Sequence, residues 1–241
     1  MSSEPQDQTR GDSTPFFSDT KPAPLSCNEA ASLCMKAARG AGMSWGMAEE
    51  AGFAAAWLVS HGIDGPSHLR AHLERADGRD WADLCPTVTP DGWQNTNGQP
   101  ACPIILGATM CDYADLPEGP HSGTTIALGP VSAPILLVPF LAEVARSNGL
   151  AFTLSWPEGA VRIDADETWL QASLQSLGVP QLVLALSTKA APPHEPSAVT
   201  TPNAQTTATT IVALNTFAMR TTVPATEASR AGAGSTLSDN D

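Results

Sequence analysis

The chain has 241 residues, only 15% of them charged, and its 25 acidic groups outnumber 12 basic ones for a net charge of −13. That balance argues against nucleic-acid binding, which needs clustered Lys and Arg on the phosphates, and against docking on anionic membranes. No run reaches the roughly 18 apolar residues of a membrane-spanning helix, and the five cysteines are odd in number and show no Cys-x-x-Cys spacing. With no export signal at the N-terminus, the expectation is a soluble, cytoplasmic protein with reduced thiols.

Residues 1–24 are polar and lack periodicity, which reads as a disordered leader. An α+β domain is expected over 25–187. It opens at Ser26, where Ser26 and Glu29 fit a capping box, and Ala30, Leu33, Cys34, Ala37 and Ala41 follow at helical spacing. Gly40 and Gly42 end this helix and Ser44 caps a second one, about Trp45 to His61, apolar around most of its circumference. A third, amphipathic helix is expected from Pro66 to about Arg75.

From Trp81 to His121 the chain reads as irregular, with one short strand at Pro103–Leu106. A strand at Thr124–Leu128, a helix over Ala133–Ser147 and a hairpin of strands at Leu150–Trp156 and Val161–Ile163 follow. Glu167–Leu177 reads as a short helix and Gln181–Leu186 as a buried strand. Residues 188–208 are rich in Pro and Thr and read as a loop or linker. Ile211–Phe217 is a strand or helix, within a C-terminal segment 209–241. The expected architecture is α+β: an N-terminal helical hairpin and third helix packed on a mixed β-sheet.

The candidate chemistry lies at two ends. In the hairpin, Lys36, Arg39, Trp45, Glu49 and Glu50 gather around a Gly-x-Gly turn. Charges in a segment this rich in Ala and Gly need partners if buried. One reading gives Lys36 and Arg39 an anion to hold and Glu49 or Glu50 a general acid/base role; the other makes the same groups an ion-pair joint bracing the turn. In the tail, Glu227, Ser229 and Arg230 precede a Gly-rich AGAG, either a lid over a pocket or a frayed end. His68 and His72 stand four apart without the Glu of a His-Glu-x-x-His motif, so no metal site is expected. No Walker loop, Gly-x-Ser-x-Gly elbow or dinucleotide fingerprint is present, and no cofactor follows from the sequence.

The segments KAARGAGMSWGMAEEAG (Lys36–Gly52) and TTVPATEASRAGAG…DND (Thr221–Asp241) resemble an uncharacterised family of bacterial proteins of unknown function. The resemblance implies no activity or cofactor. It does imply that the tail is ordered and packs near the hairpin. The chain departs from the pattern at Thr222, where an aromatic is expected, and at Ser235–Thr236, where Ala-Gly is expected.

Two classes of function remain open on this reading. The first is an enzyme acting on a small anionic metabolite, with a Lys/Arg anion site and a Glu acid/base. The second is non-catalytic: an accessory subunit docking on a larger catabolic enzyme as its partner protein, or a small-ligand-binding module.

Overall fold

The computed structural model describes residues 23–90, 92–164, 174–192 and 204–221. Among these are six α-helices: α1 (Cys27–Gly40), α2 (Trp45–Ser60), α3 (Gly65–Ala76), α4 (Pro103–Asp112), α5 (Val138–Asn148) and α6 (Ala208–Met219). The strands are β1 (Ala23–Pro24), β2 (Thr87–Thr89), β3 (Gly92–Gln94), β4 (Thr125–Ser132), β5 (Leu150–Trp156), β6 (Gly159–Ile163), β7 (Gln181–Ala190) and β8 (Gln205–Thr206). Helices dominate the N-terminal part and strands the later part, so the fold is α+β.

Local chemistry sets the first three helices. Ser26 Oγ accepts from the Glu29 N–H at 3.2 Å while the Glu29 carboxylate accepts from the Ser26 N–H at 2.9 Å, the reciprocal box read from the sequence. Ser44 caps α2 by accepting from the Met47 N–H. The two helices approach closely because Gly52 has no side chain: a Cβ there would stand 2.8 Å from the Ala31 carbonyl oxygen. Asp64, which the sequence reading passed over, caps α3 by accepting from the Ser67 N–H at 3.2 Å and the Ser67 hydroxyl at 2.5 Å.

Asp64 also ties in the far end of the chain. Its carboxylate accepts from the Thr206 hydroxyl at 2.8 Å, and Ser67 Oγ lies 3.0 Å from Thr210 Oγ1 at the start of α6. The segment 211–217, left open between strand and helix, is therefore helical. Its C-terminal turn crosses α1 so tightly that a Cβ on Gly40 would fall 1.8 Å from the Phe217 carbonyl oxygen. Residues 23–24 pair with 205–206 as an antiparallel two-strand ribbon.

The main sheet is six-stranded and mixed, in the order β2-β3-β4-β7-β5-β6. β3 runs parallel to β4, with Gly92 opposite Ala127; every other pair is antiparallel. A bulge between Ala127 and Gly129 shifts the β4–β7 register and brings Ser132 opposite Gln181. One face buries Ile126, Leu128, Phe152, Leu154, Leu184 and Leu186 in a core shared with Ile104, Leu106, Phe140, Leu141 and the Ala-rich side of α2.

Several element readings change. Pro103–Leu106 is the first turn of α4, not a strand: Pro103 occupies a first-turn position, where its missing N–H has no intrahelical acceptor to lose. The stretch 81–121 also carries β2, β3 and a 3-10 turn at Trp81–Leu84. β4 extends to Ser132 and β7 to Ala190. Residues 134–137 form a 3-10 turn ahead of α5. Of the helix read at Glu167–Leu177, only its last residues are described, and Gln175–Leu177 is a 3-10 turn. The leader up to residue 22 and the tail from residue 222 lie outside the described residues, as does most of the 188–208 loop.

Candidate functional site

The hairpin charges go to separate places. Arg39 folds back on its own helix end, donating from Nη1 to the Met43 carbonyl at 2.5 Å, with its guanidinium carbon 5.3 Å from the centre of the Trp45 ring. Trp45 remains 63% exposed. Lys36 is exposed on α1 and Glu49 is exposed on α2. Glu50 stands two residues before Gly52, hence about 200° around the helix from the face against α1, and turns instead towards α4. Burial, then the carboxylates of Asp112 and Glu49, push its pKa above the usual carboxylate range. The same surroundings push the Cys111 thiol up to about 12, through burial and the charges of Glu50, Asp112 and Glu143. Glu50 thus has acidic company. Glu227, Ser229 and Arg230 lie outside the described residues.

Cationic and hydrogen-bonding groups converge elsewhere. A cavity of about 260 Å³ opens between the C-terminal end of α3 and the edge where β4 ends and β7 begins. Its α3 wall carries His72 and Arg75, and Arg79 joins them from the turn past the helix end. Gln99, Ser132 and Gln181 complete the polar lining.

The charges around the cavity are unbalanced. Glu74 pairs with Arg70 at 2.7 Å, and Asp77 is held by Arg220 through two bonds of 2.6 and 3.0 Å. Arg75 has no salt bridge among the described residues, and desolvation of part of its side chain lowers its pKa, with the charge of Glu74 acting in the opposite direction. Arg79 donates from Nη1 to Gln99 Oε1 at 2.9 Å, an uncharged partner. Two guanidiniums therefore face one small cavity in a chain with twice as many acids as bases.

His72 forms the cavity floor. It is 1% exposed, and burial followed by the charge of Arg75 pushes its pKa down to about 3, so it is neutral at physiological pH. Its Nδ1 lies 3.2 Å from Ser132 Oγ and its Nε2 3.3 Å from Cys102 Sγ. Cys102 is fully buried at the N-cap of α4. Burial raises its thiol to about 12, and the N–H groups of Ile104 and Ile105 offset part of that rise. The chain is thus a protonated thiol, a neutral imidazole and a hydroxyl.

His68, four residues earlier, belongs to different surroundings. It lines a separate cavity of about 390 Å³ with Gly62, Ile63, Ile135, Leu174, Gln175 and Gly178. Among the described residues no group of three or more His, Cys, Asp or Glu side chains is placed to hold a metal ion.

The sequence reading named none of Arg75, Arg79, Gln99, Ser132 or Gln181 as a site residue. One signal was available: His72 and Arg75 stand at i and i+3, on one side of the expected helix. Gln99, Ser132 and Gln181 reach the cavity only through tertiary structure.

Comparison with known proteins finds a family match over part of this region. Residues 25–102 match the family described as "Protein of unknown function (DUF3726)", a stretch that includes α1 to α3, Gln99 and Cys102. This agrees with the resemblance carried by the hairpin. No curated protein matches the chain. Among solved structures, malate dehydrogenase from Pyrococcus horikoshii OT3 is similar at 13% identity and a TM-score of 0.38, over 58% of this chain and 42% of that one. Malate dehydrogenase from Entamoeba histolytica is similar at 11% identity and a TM-score of 0.40, over 61% and 47%. The chain spans less than half the length of either.

Proposed function

We infer that the protein binds a small anionic metabolite in the cleft formed by Arg75, Arg79, Gln99 and Ser132 above His72. The observation that supports this reading is two guanidiniums on one small cavity, neither in a salt bridge among the described residues. Planar guanidiniums suit carboxylate and phosphate oxygens because each offers paired N–H donors. The volume of about 260 Å³ lies below the range of drug-sized sites and suits a compact ligand. A cationic cleft in an otherwise acidic surface also concentrates anions locally. Isothermal titration calorimetry with succinate, phosphate and sulfate tests the reading. At least one anion binds the wild type, and Arg75→Gln weakens it about tenfold or more, the worth of a charged hydrogen bond. Undetectable binding of all three would overturn it.

A second reading keeps proton chemistry at the hairpin, supported by the raised carboxyl of Glu50. Here Glu50 or Glu49 serves as acid/base, with Lys36, Arg39 and the tail residues Glu227, Ser229 and Arg230 holding the anion. Glu50 sits beside Asp112 at one end of α4 and the cleft beside Cys102 at the other. A ten-residue helix, about 15 Å, separates them. The two sites therefore act on separate ligands, and Glu50→Gln leaves anion affinity in the cleft within twofold of wild type.

A further inference from the structure

We propose that the cavity beside His68 is a second binding site, for a compact uncharged ligand with an apolar body and a hydroxyl or carboxamide end. It stands apart from the anion cleft and does not rest on it. Its volume, about 390 Å³, falls within the roughly 300–1,000 Å³ of small-molecule sites.

The walls come from four parts of the chain. Gly62 and Ile63 leave α2 through a turn closed by bonds from the Gly62 N–H to the Val59 carbonyl (3.0 Å) and from the Ile63 N–H to the Leu58 carbonyl (2.9 Å). Gly62 takes φ +75°, a conformation that a side chain would resist. His68 comes from the start of α3 and Ile135 from the 3-10 turn ahead of α5. Leu174, Gln175 and Gly178 supply the remaining wall. Ile135 and Leu174 are 2% and 1% exposed, so the apolar part of the lining is anchored in the core. His72, in the floor of the cleft, stands about 6 Å further along the α3 axis.

The lining decides the ligand class. Among the described residues that form it, none is an acid, a lysine or an arginine. Burial, opposed by the charge of Asp64 and assisted by that of Arg75, holds the His68 pKa below its ordinary 6.5, so the ring is neutral at pH 7.5. A carboxylate or ammonium entering there loses hydration with no opposite charge to replace it, which is costly. A neutral imidazole has one N–H and one bare nitrogen, and the Gln175 amide likewise carries donors and an acceptor. Among the described residues neither side chain is engaged in a hydrogen bond. Whichever tautomer the ring holds, the pair offers both a donor and an acceptor. A hydroxyl or carboxamide, which also has both, finds a partner for each. A wholly apolar molecule would cover the two polar groups and leave them without one.

Four single-ring probes of similar size test this: benzyl alcohol and benzamide, with toluene and benzoate as apolar and charged controls. Each is titrated into the full chain at pH 7.5 and followed by amide NMR. Benzyl alcohol or benzamide should shift the signals of Gly62, Ile63 and Gly178 to saturation. Benzoate should bind there about tenfold more weakly or worse, and toluene severalfold more weakly. Gly178 has an ordinary φ of −73°, and a Cβ on it would lie 3.4 Å from His68 Cε1. Gly178→Leu therefore suits the backbone, fills the cavity and should abolish the shifts at Gly62 and Ile63. His68→Phe should remove the preference for benzyl alcohol over toluene. Arg75→Gln should leave every affinity within twofold, whatever becomes of the anion cleft. The ranking of the four probes by the wild type needs no variant to fold. The proposal is overturned if neither neutral polar probe gives a saturable shift at these three residues, or if benzoate or toluene binds as tightly as they do. Unchanged shifts in Gly178→Leu overturn it too.

Discussion

The hairpin and the cleft assemble polar groups in opposite ways. In the hairpin, charged residues lie close in sequence, yet the fold disperses them: Arg39 turns to the Met43 carbonyl and Glu50 to the acidic end of α4. In the cleft, residues from 72 to 181 come from both ends of the main domain and converge on about 260 Å³. Proximity along a helix fixes which face a group occupies, but not whether anything complementary stands opposite. Concentration of charge in sequence is therefore weaker evidence for a site than an unbalanced charge in space.

The largest test of that contrast is a pair of double variants. Arg75→Gln with Arg79→Gln removes both guanidiniums and should weaken anion binding about a hundredfold or more, since each charged hydrogen bond contributes roughly 1.5–3 kcal/mol. Lys36→Gln with Arg39→Gln should leave cleft affinity within twofold in the same calorimetric titration. Equal losses in both would place the anion site at the hairpin after all.

These two regions also differ in how far the sequence discloses them. The capping box of Ser26 and Glu29, the Ser44 cap and the all-round apolar α2 are local devices, and they are read correctly because their partners are three or four residues away. The Pro-Ile-Ile-Leu run at 103–106 misleads because a short apolar run with two β-branched residues fits a buried strand or a buried helix equally. The Pro at its first position, a favoured helix start, was the discriminating feature. For the cleft, the pairing of His72 with Arg75 on one helix side was legible as spacing. Its opposite wall was not, because Ser132 and Gln181 meet only through the bulged β4–β7 register, a long-range pairing with no local signature.

The helix carrying His72 and Arg75 can be unseated without touching the cleft. Asp64 caps α3 and binds both Ser67 and Thr206, so Asp64→Ala leaves an N-terminus uncapped and two hydroxyls short of an acceptor. A loss of about 2 kcal/mol is expected in urea unfolding. Asp64→Asn, which keeps one acceptor oxygen, should recover part of it. No loss would mean that the α3–α6 joint is held by packing alone.

His72 supplies a pH signature opposite in sign to that of Glu50 in the hairpin. Its folded-state pKa lies near 3, below the ordinary 6.5, so the unfolded chain binds the proton more readily. Its contribution to stability is therefore complete above pH 6.5 and is lost as pH falls towards 3, with a slope of at most about 1.4 kcal/mol per pH unit. His72→Gln should flatten the stability profile in that window relative to wild type. Parallel profiles would show that the imidazole is solvated.

Glu50 should give the smallest effect and the opposite sign. Its folded-state pKa is raised, so the native state prefers the neutral carboxyl while the unfolded chain ionises freely. The group's stabilising contribution is present at low pH and is lost as pH rises through its folded pKa. Glu50→Gln keeps the shape and removes the charge beside Asp112 and Glu49, so it should raise the Tm at pH 7 by roughly 1–2 °C and change nothing near pH 3. The carboxyl is only partly buried, and solvent screening keeps the gain small. A fall in Tm at pH 7 would mean that the ionised carboxylate holds a favourable partner, which would return Glu50 to the centre of the hairpin reading.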